Sequence, residues 1–92
     1  MSSIELPQQI ERAVLLSQNL IKQAPERSGL RLILAQLLDL QSTYSRDRSF
    51  AAIPKERLTM GVIAAKSDFD VIYPEYADLI HDISYAIEHE RP

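Results

Sequence analysis

The chain has 92 residues, room for one domain, 1–92, in which folding buries about 64 % of the unfolded chain's surface. Apolar residues make up 46 %, with 25 % charged, two glycines and five prolines, so the composition is globular and excludes a disordered chain. The net charge of −3 and the absence of cysteine exclude disulfides, thiolate metal sites and a generally basic nucleic-acid binder.

The first apolar segment covers about 6–24, where Ile10, Ala13, Val14, Leu20 and Ile21 form a helical stripe widened by Leu15 and Leu16. Pro7 fits its first turn, where a missing N–H has no intrahelical partner to lose. Pro25 and Gly29 then break the chain. The second segment, about 29–45, repeats Leu30, Ile33, Leu34, Leu37, Leu38, Gln41 and Tyr44 at spacings of three and four, flanked by Leu32 and Leu40. Ser28 is its expected N-cap.

Residues 46–53 read as a connection whose Phe50 and Ile53 tuck inward. Pro54 suits the first position of a third helix ending near Lys66, with Leu58, Val62 and Ala65 on one face and Met60, Ile63 and Ala64 on others. A helix apolar nearly all round is central or half interface. Gly61 in its interior costs about 1 kcal/mol relative to alanine, and close approach by a neighbouring helix would offset that. Residues 67–73 read as a loop in which Asp70 caps the next helix. That helix, about 74–88, carries Tyr76, Leu79, Ile80, Ile83, Ala86 and Ile87 as its stripe and Glu75, Asp78 and Asp82 early in it, where the positive end of the dipole favours carboxylates. The expected fold is all-α, a compact antiparallel four-helix bundle.

Charge is unevenly spread. Residues 1–66 hold nine bases and six acids; residues 67–92 hold seven acids and one base. An acidic C-terminal third suits a basic protein partner, or simply solubility. Catalytic constellations are hard to assemble. His81 stands between Asp78 and Asp82 with no second histidine at ligand spacing and no HExxH, so a solvated face is the bland reading. Asp68 and Asp70 flank Phe69 without the glycine and glutamate of a calcium loop. Either they cap a helix, or they form an acidic tip whose Phe69 anchors in a partner's pocket. Arg46, Arg48, Lys55 and Arg57, interleaved with Asp47 and Glu56, read as a surface ion-pair network. No nucleophile–base pair, metal motif or phosphate loop is present, so neither an enzyme nor a cofactor is expected. No apolar run nears the roughly 18 residues of a membrane span and no secretory signal is seen, so a cytoplasmic chain without membrane or nucleic-acid partners is expected.

The run Arg57-Leu58-Thr59-Met60-Gly61-Val62-Ile63-Ala64-Ala65-Lys66, followed by Phe69-Asp70 and Pro74-Glu75, resembles a family. It is similar to the immunity proteins that protect bacteria from a type VI secretion effector, an NAD(P)+ glycohydrolase toxin. The likeness is strongest over about 48–85 and extends to Ile4-Glu5 and Ile10-Glu11-Arg12-Ala13. The resemblance implies a helical, cytoplasmic inhibitor that binds its co-encoded toxin and keeps substrate from the active cleft. In such a protein Leu58, Gly61, Val62 and Ala65 would be packing, and the exposed acidic third would meet the toxin. The expected contact residues are Asp68, Phe69, Asp70, Glu75, Asp78 and Asp82. A helical adaptor that self-associates, as a homodimer, is the rival reading, and a DNA-binding regulator is a weaker one.

Overall fold

The computed structural model describes residues 6–48, 50, 53 and 58–90. Among the described residues five helices follow in order: α1 (Leu6–Gln23), α2 (Ser28–Asp47), α3 (Met60–Lys66), α4 (Phe69–Ile72) and α5 (Pro74–Glu90). The expectation of four helices is thus corrected to five, because the stretch read as a loop after Lys66 contains the single turn α4. The third helix is also shorter than expected. Leu58 and Thr59 are not helical, and Pro54, Lys55, Glu56 and Arg57 lie outside the described residues.

Helix α1 packs along α2, and α5 touches α1, α3 and α4. The core follows the apolar stripes. Ile10, Ala13 and Val14 of α1 meet Leu30, Ile33, Leu37 and Leu40 of α2, and Tyr76, Ala77, Ile80, Ile83 and Ile87 of α5 join the same cluster. Leu40 therefore belongs to the centre of the α2 stripe, whereas Leu38, placed there by spacing, is exposed. Phe50 and Ile53 are buried as expected, and the Phe50 ring stacks on Tyr44 at 5.0 Å. The start of α3 is fixed from α2: the Gln36 amide donates to Thr59 Oγ1 at 2.7 Å and accepts from the Thr59 N–H at 3.2 Å. This reciprocal pair serves the N-terminal residues that a helix leaves without internal partners.

Two features of the interior depart from the sequence reading. Gly29 does not break the chain; it is the second residue of α2 and is buried, with Arg27 rather than Ser28 at the N-cap position. A Cβ on Gly29 would stand 2.6 Å from Ser67 Oγ, 3.3 Å from Phe69 Cζ and 3.4 Å from an Ile63 methyl. The missing side chain is what lets the α3–α4 junction rest on α2. The second feature is Ser17, a hydroxyl in the α1 stripe that is fully buried. It shares a 2.6 Å hydrogen bond with the Tyr76 hydroxyl, which satisfies both groups in a place where an unpaired hydroxyl would be costly.

Two outcomes follow from these contacts. Gly29→Ala gains at most about 1 kcal/mol of helix propensity but costs about 1–3 kcal/mol of overpacking, since the added methyl meets Ser67 Oγ at 2.6 Å and crowds the Phe69 ring at 3.3 Å. Urea unfolding should show a net loss, partly recovered by adding Ser67→Ala; a more stable Gly29→Ala would mean the contact is loose. Burial pushes the Tyr76 phenol up from 10.0 to about 12, with the Ser17 hydrogen bond pulling the other way. The stabilisation tied to the neutral phenol is complete below about pH 10 and is lost as pH rises through about 12. Stability measured across that window should fall for the native chain by more than it falls for Tyr76→Phe.

Candidate protein-contact surface

The turn after α3 decides where the acidic residues point. Asp68 holds a left-handed backbone (φ 62°), a conformation that aspartate adopts more readily than most residues. The Asp68 carbonyl accepts from Val71 and Ile72, closing α4. The reversal drives Phe69 inward and leaves Asp68, Asp70 and Val71 outside, Val71 being 80 % exposed. Phe69 is 1 % exposed, with its ring 5.5 Å from Tyr73 and 6.1 Å from Tyr76. The expected role of Phe69 as an anchor in a partner's pocket is therefore corrected: the ring is core, and Val71 and Ile72 are the apolar residues this tip exposes.

Asp70 does not cap α5. Its Oδ1 lies 3.2 Å from His81 Nε2, so the imidazole donates through Nε2 and α4 is clasped to α5. Both side chains are about half exposed, and such a pair contributes at most about 1 kcal/mol. His81 is thus not simply a solvated residue, as its flanking aspartates suggested. It lies over Gly61, where a Cβ would stand 3.3 Å from Nδ1 and 3.6 Å from Ser84 Oγ. This is the close approach of a neighbouring helix expected from a glycine inside α3. Among the described residues no cluster of histidine and carboxylate side chains is arranged to hold a metal ion.

Glu75, Asp78 and Asp82 recur at spacings of three and four and are all exposed on α5. Together with Arg12 and Leu16 of α1 and Leu79 they line a shallow groove between the two helices. Asp68 and Asp70 lie on the α4 turn, and the Asp70 contact with His81 brings that turn against the stretch of α5 that carries Asp78 and Asp82. A second groove lies on the other side of Asp82, between α3 and α5, floored by Leu58, Gly61 and His81 and edged by Val62, Ala65, Tyr85 and Glu88. Val62 and Tyr85 are 55 % and 64 % exposed. Neither is expected from the sequence: Val62 reads as packing, and Tyr85 lies outside the apolar stripe of α5. The signal available for them was that α3 is apolar on more faces than one buried stripe needs.

The Tsi6 family profile matches residues 5–89. The chain belongs to the Tsi6 family, a type VI secretion immunity family. Neither the comparison with curated proteins nor that with solved structures gives a match. Membership fits the geometry, in that a Tsi6-family protein serves by binding a toxin, and the described residues offer surfaces and shallow grooves. No helix among the described residues is long and apolar enough to cross a membrane.

The left-handed turn gives a test that separates backbone from charge at Asp68. Replacing Asp68 with Gly should keep or raise the melting temperature, because glycine adopts positive φ freely. Asp68→Val should lose about 1–2 kcal/mol, the cost of forcing a β-branched residue into that region. Equal stability of the two variants in thermal melts would contradict the turn geometry.

Proposed function

We propose that this Tsi6-family chain neutralises a co-encoded NAD(P)+ glycohydrolase effector in the cytoplasm by binding its toxin domain and obstructing access to the active cleft. The observation that carries this reading is the family match over 5–89, joined to the acidic bias of residues 67–92. An enzyme that binds an anionic dinucleotide presents positive charge to it, and carboxylates presented to that charge compete by electrostatics and speed the encounter. Asp68, Asp70, Glu75, Asp78 and Asp82 are the contact residues in this reading. Asp70 is the least suited to mutational test, because its carboxylate also holds His81. Asp78 and Asp82 have no such structural duty in the fold described above. The chain itself supplies no chemistry in this mechanism; it acts by occupancy.

The test uses the neighbouring toxin gene. The toxin domain is expressed in a susceptible bacterium with and without this chain, and growth is followed together with cellular NAD(P)+. Recovery of both supports the whole reading. Recovery of growth from a toxin that leaves the nucleotide pool intact keeps the immunity role and removes the glycohydrolase. Toxicity without rescue removes the proposal. In the purified pair, Asp78→Lys with Asp82→Lys should weaken binding at least about tenfold with the melting temperature nearly unchanged, as expected for exposed charges that steer association.

A further inference from the structure

The carboxylates of the proposed interface are long-range features and do not by themselves give a slowly dissociating complex. Buried aromatic and aliphatic anchors at the centre of an interface usually do that. Phe69, the anchor expected from the sequence, is unavailable because it is core. The fold offers an alternative in the groove between α3 and α5.

Its construction is specific. Gly61 lets α3 lie close against α5, so the floor is made of Gly61, Leu58 and His81 and no side chain from Gly61 stands up to fill it. Val62 rises on the α3 side and Tyr85 on the α5 side, each more than half exposed. Tyr85 is exposed but not free. Its ring stacks on His89 at 3.9 Å between centroids and 27° between planes, and the His89 Nδ1–H donates to the Tyr85 carbonyl at 2.9 Å. The aromatic side chain is therefore held in place before any partner arrives, which lowers the ordering cost of binding. Asp82 and Glu88 stand at the groove, and among the described residues neither lysine nor arginine lines it. Asp78 precedes Asp82 on the same exposed stripe of α5. An apolar depression bounded by carboxylates is complementary to an apolar side chain flanked by lysine or arginine.

We infer that the α3–α5 groove, with Val62 and Tyr85 at its edges, is the anchoring site of this protein, and that its occupant is a segment of the toxin domain presenting an apolar residue between basic ones. The inference rests on the immunity reading and adds to it the location of the anchor and the chemistry of the segment it takes. Division of labour follows from the two kinds of residue. Asp82 and Glu88 set the rate of encounter and its dependence on salt; Val62 and Tyr85 set how long the complex lasts.

The experiment measures binding kinetics of the full chain with the purified toxin domain of the neighbouring gene at two ionic strengths. Val62→Lys and Tyr85→Ala, both at exposed positions, should each raise the dissociation rate and weaken affinity at least about 30-fold, the range of interface hot spots. Asp82→Asn with Glu88→Gln should instead slow association and flatten its salt dependence. Leu15→Lys, a comparably exposed apolar position on α1, is the control and should bind as the native chain does. Melting curves of all variants check folding. Native affinity in folded Val62→Lys and Tyr85→Ala overturns the groove, and so does an equal loss in Leu15→Lys. Sedimentation of the native chain alone covers the remaining occupant: a dimer dispersed by Val62→Lys would assign the groove to a second copy and overturn the proposal. Failure of the native chain to bind the toxin domain at all would instead refute the immunity reading on which the groove depends.

Discussion

The contact between Gly29 and the ring of Phe69 is the constraint from which most of the arrangement descends. Phe69 is fully buried against α2 at a backbone without a side chain, where a Cβ would stand 3.3 Å from the ring. Once seated, the ring lies against Tyr73 and Tyr76, and Tyr76 reaches Ser17 in α1 through a buried hydrogen bond. A single path of close contacts thus runs from α2 through α4 and α5 to α1. In a chain with so thin a core, these few contacts are a large part of what makes one packing preferable to its alternatives. The exposed residues inherit their positions from it. Asp68, Asp70 and Val71 point outward because Phe69 points inward.

The other glycine does the same work for the second half of the molecule. Gly61 brings α3 against α5 and places His81 where it can reach Asp70. Both glycines of the chain are therefore at places where a neighbouring element crowds the position a Cβ would take, to 2.6 Å at Gly29 and 3.3 Å at Gly61. Neither has positive φ, so conformational freedom is not the reason for either. The helix-propensity cost of about 1 kcal/mol at each position is offset by packing that alanine would obstruct.

Much of this was legible in the residues. Apolar spacing located the extents of α1, α2 and α5 to within two or three residues, and it picked out Ile10, Leu30, Ile33, Leu37, Ile80 and Ile83 as core because a helical stripe has one way to face a neighbour. What failed had a common physical cause. Periodicity reports which side of a helix is apolar but not what a neighbour does at a given position. Gly29, close behind Pro25, therefore looked like a breaker. Phe69 looked exposed because its sequence neighbours are aspartates, although their outward placement is the consequence of a left-handed Asp68 that no spacing rule encodes. Ser17 interrupts the α1 stripe, and only its partner 59 residues away explains it. The contact surface was less legible than the fold. The acidic bias was plain from counting, but Tyr85 stood outside the apolar stripe, and the exposure of Val62 depends on how α3 is laid down.

The family motif itself divides along the same line. Leu58, Met60, Ala64 and Phe69 are buried, Gly61 faces α5, and Val62 and Ala65 are exposed. Reading Leu58, Gly61, Val62 and Ala65 as packing was therefore half right: Leu58 and Gly61 belong to the scaffold, and Val62 and Ala65 are surface. This matters for how a partner is recognised. Residues in the core are bound by volume and cannot change without repacking, whereas Val62, Tyr85, Asp82 and Glu88 can be exchanged with little effect on the fold. A scaffold of this kind can keep Gly29, Gly61 and Phe69 fixed while the residues around the α3–α5 groove are altered to meet a different toxin. In the proposed mechanism of occupancy, affinity for the right toxin and indifference to others would be set by a few exposed side chains standing on a floor that Gly61 helps to shape.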